Sequence, residues 1–149
     1  VQADYARVMQ AAGLHPDANE LIAMKIQGVT PEYVRNLKEK GLEISENEII
    51  AMRVQGVTPE YVSGIRALGL KPTTDEVIAM KVQGVTADYI KSLQSAGFKF
   101  DIDDVVGAKV QGITPEFIEK AKKHGFQNLT LEKLIQMRHL GVLDKEGEI

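Results

Sequence analysis

The chain of 149 residues has no cysteine and no tryptophan. Without thiols there are no disulfides and no thiolate metal sites, and the redox compartment stays open. No apolar run approaches the roughly 20 residues needed to cross a bilayer. Excess positive charge is missing too. The net charge is -3, which argues against a nucleic-acid partner, since such partners usually ask for a basic stripe. The HExxH, GxSxG and GxxxxGK patterns of zinc peptidases, serine hydrolases and phosphate loops are absent. No signal peptide is legible. The opening "VQADYARVM" aligns with the middle of a repeat, as expected of a fragment or a processed chain.

What is present is repetition. "KIQGVTPEYV" begins at Lys25, "RVQGVTPEYV" at Arg53, "KVQGVTADYI" at Lys81 and "KVQGITPEFI" at Lys109, a spacing of 28 residues each time. Two glycine ladders keep the register. One is Gly28, Gly56, Gly84 and Gly112, with Gly141 one residue late; the other is Gly13, Gly41, Gly69, Gly97 and Gly125. They interleave, so each unit holds two segments of about a dozen residues closed by glycine. Glycine just after an apolar-periodic segment suits the left-handed position that ends a helix.

Starts agree with stops. Thr30, Thr58 and Thr114 each precede Pro-Glu, placing a capping hydroxyl, a first-turn proline and an acid in helix-initiating order. Thr86 is followed by Ala87 and Asp88, a variant without proline. Ser45-x-x-Glu48 and Thr73-x-x-Glu76 read as capping boxes, with Asp17-x-x-Glu20 and Asp101-x-x-Asp104 as weaker versions. An extra residue in the last unit moves the cap to Thr130 and delays Gly141.

The pattern predicts ten short helices, alternately A and B. The A helices lie near 3–12, 31–40, 59–68, 87–96 and 115–124, and the B helices near 18–26, 46–54, 74–82, 102–110 and 131–140. Helices this short need packing, and a 28-residue unit buries its apolar face only against stacked neighbours. The expected fold is all-α: one domain, 1–149, an α-solenoid of five helical hairpins. The units are approximately 1–28, 29–56, 57–84, 85–112 and 113–141, followed by a tail at 142–149. Helix B carries the wider apolar arc (Ile49, Ile50, Ala51, Met52, Val54) and is expected to be the more buried of the pair.

Two further ladders invite a functional reading. The bases Lys25, Arg53, Lys81, Lys109 and Arg138 fall within the apolar arc of helix B. A charge there needs a partner or a route to water. The expected partners are Glu32, Glu60, Asp88 and Glu116 of the next A helix; the alternative is a basic row for an anionic ligand. The glutamines Gln27, Gln55, Gln83 and Gln111 precede the glycine turn. Their amides are expected to satisfy helix-end carbonyls, with a grip on an extended peptide as the rival. His15, His124 and His139 share no ligand spacing, so neither a metal nor another cofactor is expected.

The run "LIAMKIQGVTPEYVRNLKEKGL", Leu21 to Leu42, resembles a short tandem helical repeat of many bacterial proteins. In particular it is similar to regions that follow the membrane part of antibiotic-sensor-type metallopeptidases. The resemblance covers essentially the whole chain through its "GVTPEYV" and "IIAM" elements, and the peptidase's zinc-binding sequence is absent. It implies an accessory, extracytoplasmic (periplasmic) region for protein interaction or spacing. The varied linkers "EKGLEISENE", "ALGLKPTTDE" and "SAGFKFDIDD" argue against a designed consensus array.

The resulting expectation is a non-enzymatic scaffold that binds protein or peptide, with a structural spacer or stalk as the alternative. "QGVTPEYV" also has features of half a helix-hairpin-helix DNA-binding element. The acid at the helix start would repel phosphate there, so no nucleic acid is expected, nor is membrane insertion. A ligand surface is expected at positions that vary between repeats, such as Lys38, Arg66, Gln94 and Lys122 with their neighbours.

Overall fold

A computed structural model describes residues 3–143. The A helices are α1 (Ala3–Ala11), α3 (Pro31–Glu39), α5 (Pro59–Arg66), α7 (Ala87–Ser95) and α9 (Pro115–Lys123). The B helices are α2 (Ala18–Gln27), α4 (Glu46–Val54), α6 (Thr74–Val82), α8 (Ile102–Val110) and α10 (Leu131–His139). Among the described residues there is no strand. The tail assigned from 142 lies outside the described residues beyond Leu143.

The chain forms two compact units, Val1–Val82 and Gln83–Ile149. In the first, α2 packs on α4, α4 on α6 and α3 on α5; in the second, α7 packs on α9 and α8 on α10. Like packs on like. The fold is an all-α solenoid of stacked helical hairpins.

Local chemistry explains where each helix begins and ends. The hydroxyls of Thr30, Thr58, Thr86, Thr114 and Thr130 each accept the backbone N–H three residues on. Reciprocal capping boxes close Asp17 with Glu20, Ser45 with Glu48, Thr73 with Glu76 and Asp101 with Asp104. At the other end, the Gly28 N–H donates to the Lys25 carbonyl and the Val29 N–H to that of Met24. This is the paired bonding of a Schellman motif, and it requires Gly28 to sit left-handed, at φ 77°. The same turn recurs at Gly56, Gly112 and Gly141. The extra residue of the last unit is absorbed at Asn128, the one non-glycine with positive φ (58°) among the described residues. Asparagine tolerates that conformation better than most side chains.

In the first unit, Met9, Met24, Leu37, Ile49, Met52 and Val57 belong to one fully buried cluster. Both helix types feed it, so the expectation that B is the more buried is not met. Helix α3 buries Val34 and Leu37 much as α4 buries Ile49 and Met52. The wide apolar arc of B does not all turn inward. At about 100° per residue, position 54 points well away from 49 and 52, and Val54 is exposed.

Candidate functional site

The basic ladder of the B helices does not pair as expected. Lys25 Nζ lies 4.8 Å from the centroid of the Tyr5 ring, and the Arg53 guanidinium 5.4 Å from that of Tyr33. Lys81 stands 5.0 Å from Tyr61, Lys109 5.2 Å from Tyr89 and Arg138 5.4 Å from Phe117. Each base therefore meets the aromatic ring on the A helix of its own hairpin. The anticipated acids, Glu32 and Glu60 among them, sit exposed in the first turn of the following A helix, and Glu32 lies 3.8 Å from Arg35 of its own helix. The ring face attracts the charge while leaving it partly hydrated, so no carboxylate has to be desolvated.

The base also reaches back one repeat. Arg53 Nε donates to the Gln27 carbonyl at the end of α2, at 3.3 Å. A Cβ added at Gly28 would lie 3.8 Å from the Arg53 guanidinium, and one at Gly84 3.8 Å from Lys109 Cε. Arg53 thus stands at the C-terminus of α2, where the helix dipole is negative.

The same tyrosines tie hairpins together. The hydroxyls of Tyr5, Tyr33 and Tyr89 donate to the carbonyls of Val29, Val57 and Ile113 at 2.6, 2.5 and 2.6 Å. Each accepting residue is buried in the turn that leads to the next A helix. Burial pushes the phenols of Tyr33, Tyr61 and Tyr89 up to about 12, against the opposing pull of Arg53 in the case of Tyr33.

A second basic ladder, on the A helices, was not legible as structural. Lys38 Nζ donates to the Ala12 carbonyl at 3.0 Å, and Lys122 Nζ to that of Ala96 at 2.6 Å. The Arg66 guanidinium stands against Gly41, within 3.3 Å of where a Cβ would be. These side chains reach the C-terminus of the previous A helix. The sequence signal was a base at 38, 66 and 122, at multiples of 28.

The glutamine ladder behaves differently again. Gln27, Gln55, Gln83 and Gln111 are all exposed. The carbonyls their amides were expected to satisfy are instead bonded by the backbone N–H groups of the glycine turn. Next to each glutamine stands an exposed aliphatic side chain. In the first unit Ile26 is 74%, Val54 55% and Val82 51% exposed; in the second Val110 is 55% exposed. Burying such side chains would stabilise each by about 1.5–3 kcal/mol, yet nothing covers them. The missed signal was the second letter of "KIQG", "RVQG" and "KVQG".

Elsewhere in the first unit, a depression of about 420 Å³ lies beside Gly41, Glu48, Arg66, Lys71 and Asp75. The Glu48 and Asp75 carboxyls share a hydrogen bond there. That bond, and the Glu48 charge behind it, raise Asp75 above its usual range. Among the described residues, no three His, Asp or Glu side chains gather as a metal site would require, and no helix is long and apolar enough to cross a membrane. His124 follows α9, and its ring stacks on Phe126 at 5.9 Å. No protein-family model matches the chain, and a search of curated proteins found no relative.

Proposed function

We propose that the chain is a non-enzymatic repeat scaffold that binds protein or peptide through the exposed outer face of its B helices. One observation carries this reading. Ile26, Val54, Val82 and Val110 are each more than half exposed and recur at the same place in the first four hairpins, with His139 there in the fifth. Folding gives no reason for that recurrence. β-Branched residues are slightly unfavourable in helices, and an uncovered aliphatic contributes no burial energy. The accompanying glutamines are exposed, and each side-chain amide has both a donor and an acceptor to offer.

This relocates recognition from the variable positions, where Lys38, Arg66 and Lys122 serve the scaffold, to the repeated ones. The resemblance to accessory repeats of bacterial metallopeptidases is part of the same reading, as is an extracytoplasmic setting. DNA binding at the Thr-Pro-Glu turns is disfavoured by Glu32, Glu60 and Glu116 in the first helical turns.

The test is selection of random peptides on the immobilised chain. Selected sequences should bind in solution and lose binding to an Ile26→Ser/Val54→Ser/Val82→Ser variant that melts like the parent. No selection above an unrelated helical repeat, or equal binding to the variant, would leave the spacer reading in its place.

A further inference from the structure

We infer that the B-helix face of the first unit takes an extended acidic peptide in a polyproline-II-like conformation, with an aliphatic residue at every third position. This rests on the interaction reading above and names the ligand class for the same face.

The first argument is register. Helices α2, α4 and α6 pack in sequence, and Arg53 reaches the end of α2 from the last turn of α4, so the helices run parallel with their C-termini side by side. Lys25-Ile26-Gln27 at the end of α2, Arg53-Val54-Gln55 at the end of α4 and Lys81-Val82 at the end of α6 therefore recur once per helix spacing. Packed helices lie about 8–10 Å apart. A polyproline-II chain rises about 3.1 Å per residue with three residues per turn, so it repeats a side chain on one face every ~9.3 Å. A β-strand repeats every two residues, roughly 6.6 Å, and falls out of step by the second helix.

The second argument is hydrogen bonding. A polyproline-II chain makes no internal hydrogen bonds and leaves its N–H and C=O groups for a partner. The exposed amides of Gln27 and Gln55 offer one donor and one acceptor function per helix.

Charge complementarity is the third. Lys25, Arg53 and Lys81 precede the aliphatic positions, and each charge lies against an aromatic ring rather than a carboxylate. The acids of these B helices, Glu20, Glu46, Glu48, Asp75 and Glu76, occupy the opposite, N-terminal turns. Glu32 and Glu60 begin the neighbouring A helices, and Glu32 is drawn to Arg35. A ligand carboxylate beside each aliphatic contact completes the pairing that the protein leaves open.

The experiment measures fluorescence anisotropy of the whole chain with labelled peptides of about nine residues. One repeats valine–glutamate–proline, one valine–lysine–proline and one serine–glutamate–proline; duplex DNA is the fourth probe. The acidic valine peptide should bind at least about tenfold more tightly than the other three. Its affinity should fall with added salt and be lost in the Ile26→Ser/Val54→Ser/Val82→Ser variant. Equal binding of the lysine peptide, tighter binding of DNA, or undiminished binding to the serine variant overturns the inference. So does failure of the acidic peptide when library-selected peptides do bind, which spares the interaction reading. Failure of every peptide, selected ones included, removes both.

Discussion

The guanidinium of Arg53 lies over the ring of Tyr33, 5.4 Å from its centroid, while the hydroxyl of that ring donates to the Val57 carbonyl at 2.5 Å. One tyrosine thus holds the B helix of its own hairpin through its face and the start of the next hairpin through its oxygen. The two contributions separate by mutation. Tyr33→Phe keeps the ring but leaves a buried carbonyl unbonded, a loss of about 1–2 kcal/mol. Arg53→Met keeps most of the stem and removes the charge, a loss of about 0.5–1 kcal/mol. Denaturant melts should show Arg53→Met costing the same in the Tyr33→Phe background, because the ring is retained. In a Tyr33→Leu background the cost should shrink. Coupling of Arg53 to Glu60 instead would restore the ion-pair reading.

Glycine substitutions should change sign with backbone conformation. Gly56 has φ 74° and open space around a would-be Cβ, so Gly56→Ala meets only backbone strain, about 1–2 kcal/mol destabilising. Gly107 lies inside α8 with equally open space, where Ala23, Ala51 and Ala79 stand in the first three repeats. Gly107→Ala should stabilise by about 0.5–1 kcal/mol. Thermal melts in which both shift the same way would contradict the assignment.

Thr74 is almost fully buried, and its hydroxyl donates to the Glu43 carbonyl at 2.7 Å, joining the start of α6 to the linker of the preceding hairpin. Thr74→Val conserves shape and deletes the donor. A loss of about 1–3 kcal/mol is expected, with Thr74→Ser recovering most of it. Equal stability of the valine and serine variants would show that the hydrogen bond contributes nothing.

Two carboxylates should give opposite pH signatures. Glu46 accepts the His15 backbone N–H at 2.7 Å, and that bond is the main reason its carboxyl titrates below its usual range. A folded value below the unfolded one gives stability that is present above the unfolded value and lost as pH falls through the folded value. Glu46→Gln should therefore lower Tm near about pH 7 and matter little near about pH 3. Asp75 is raised, first by the hydrogen bond with Glu48 and then by its charge. Its contribution is complete below the unfolded value and lost as pH rises through the folded one. Asp75→Asn should raise Tm near about pH 7 and leave it unchanged near about pH 3. Parallel pH profiles for the two variants would rule out this division of roles.

The sequence by itself determined the helices. Thr30, Pro31 and Gly28 act within a turn of where they stand: a hydroxyl on an N–H three residues away, a fixed φ, a left-handed turn. Such terms need no partner from elsewhere in the chain, and their return every 28 residues is sufficient to imply stacking. What tertiary structure alone decided is which side chains meet across 20 to 31 residues. The Tyr33–Arg53, Lys38–Ala12 and Thr74–Glu43 contacts depend on how one hairpin seats on the next. A helical wheel places Arg53 in an apolar arc but cannot distinguish a carboxylate partner from an aromatic face. Nor can it show that Val54, an aliphatic residue on a helix with a wide apolar arc, faces water. Burial belongs to the assembled stack, because each helix has several apolar directions and only packing fixes which of them is inside.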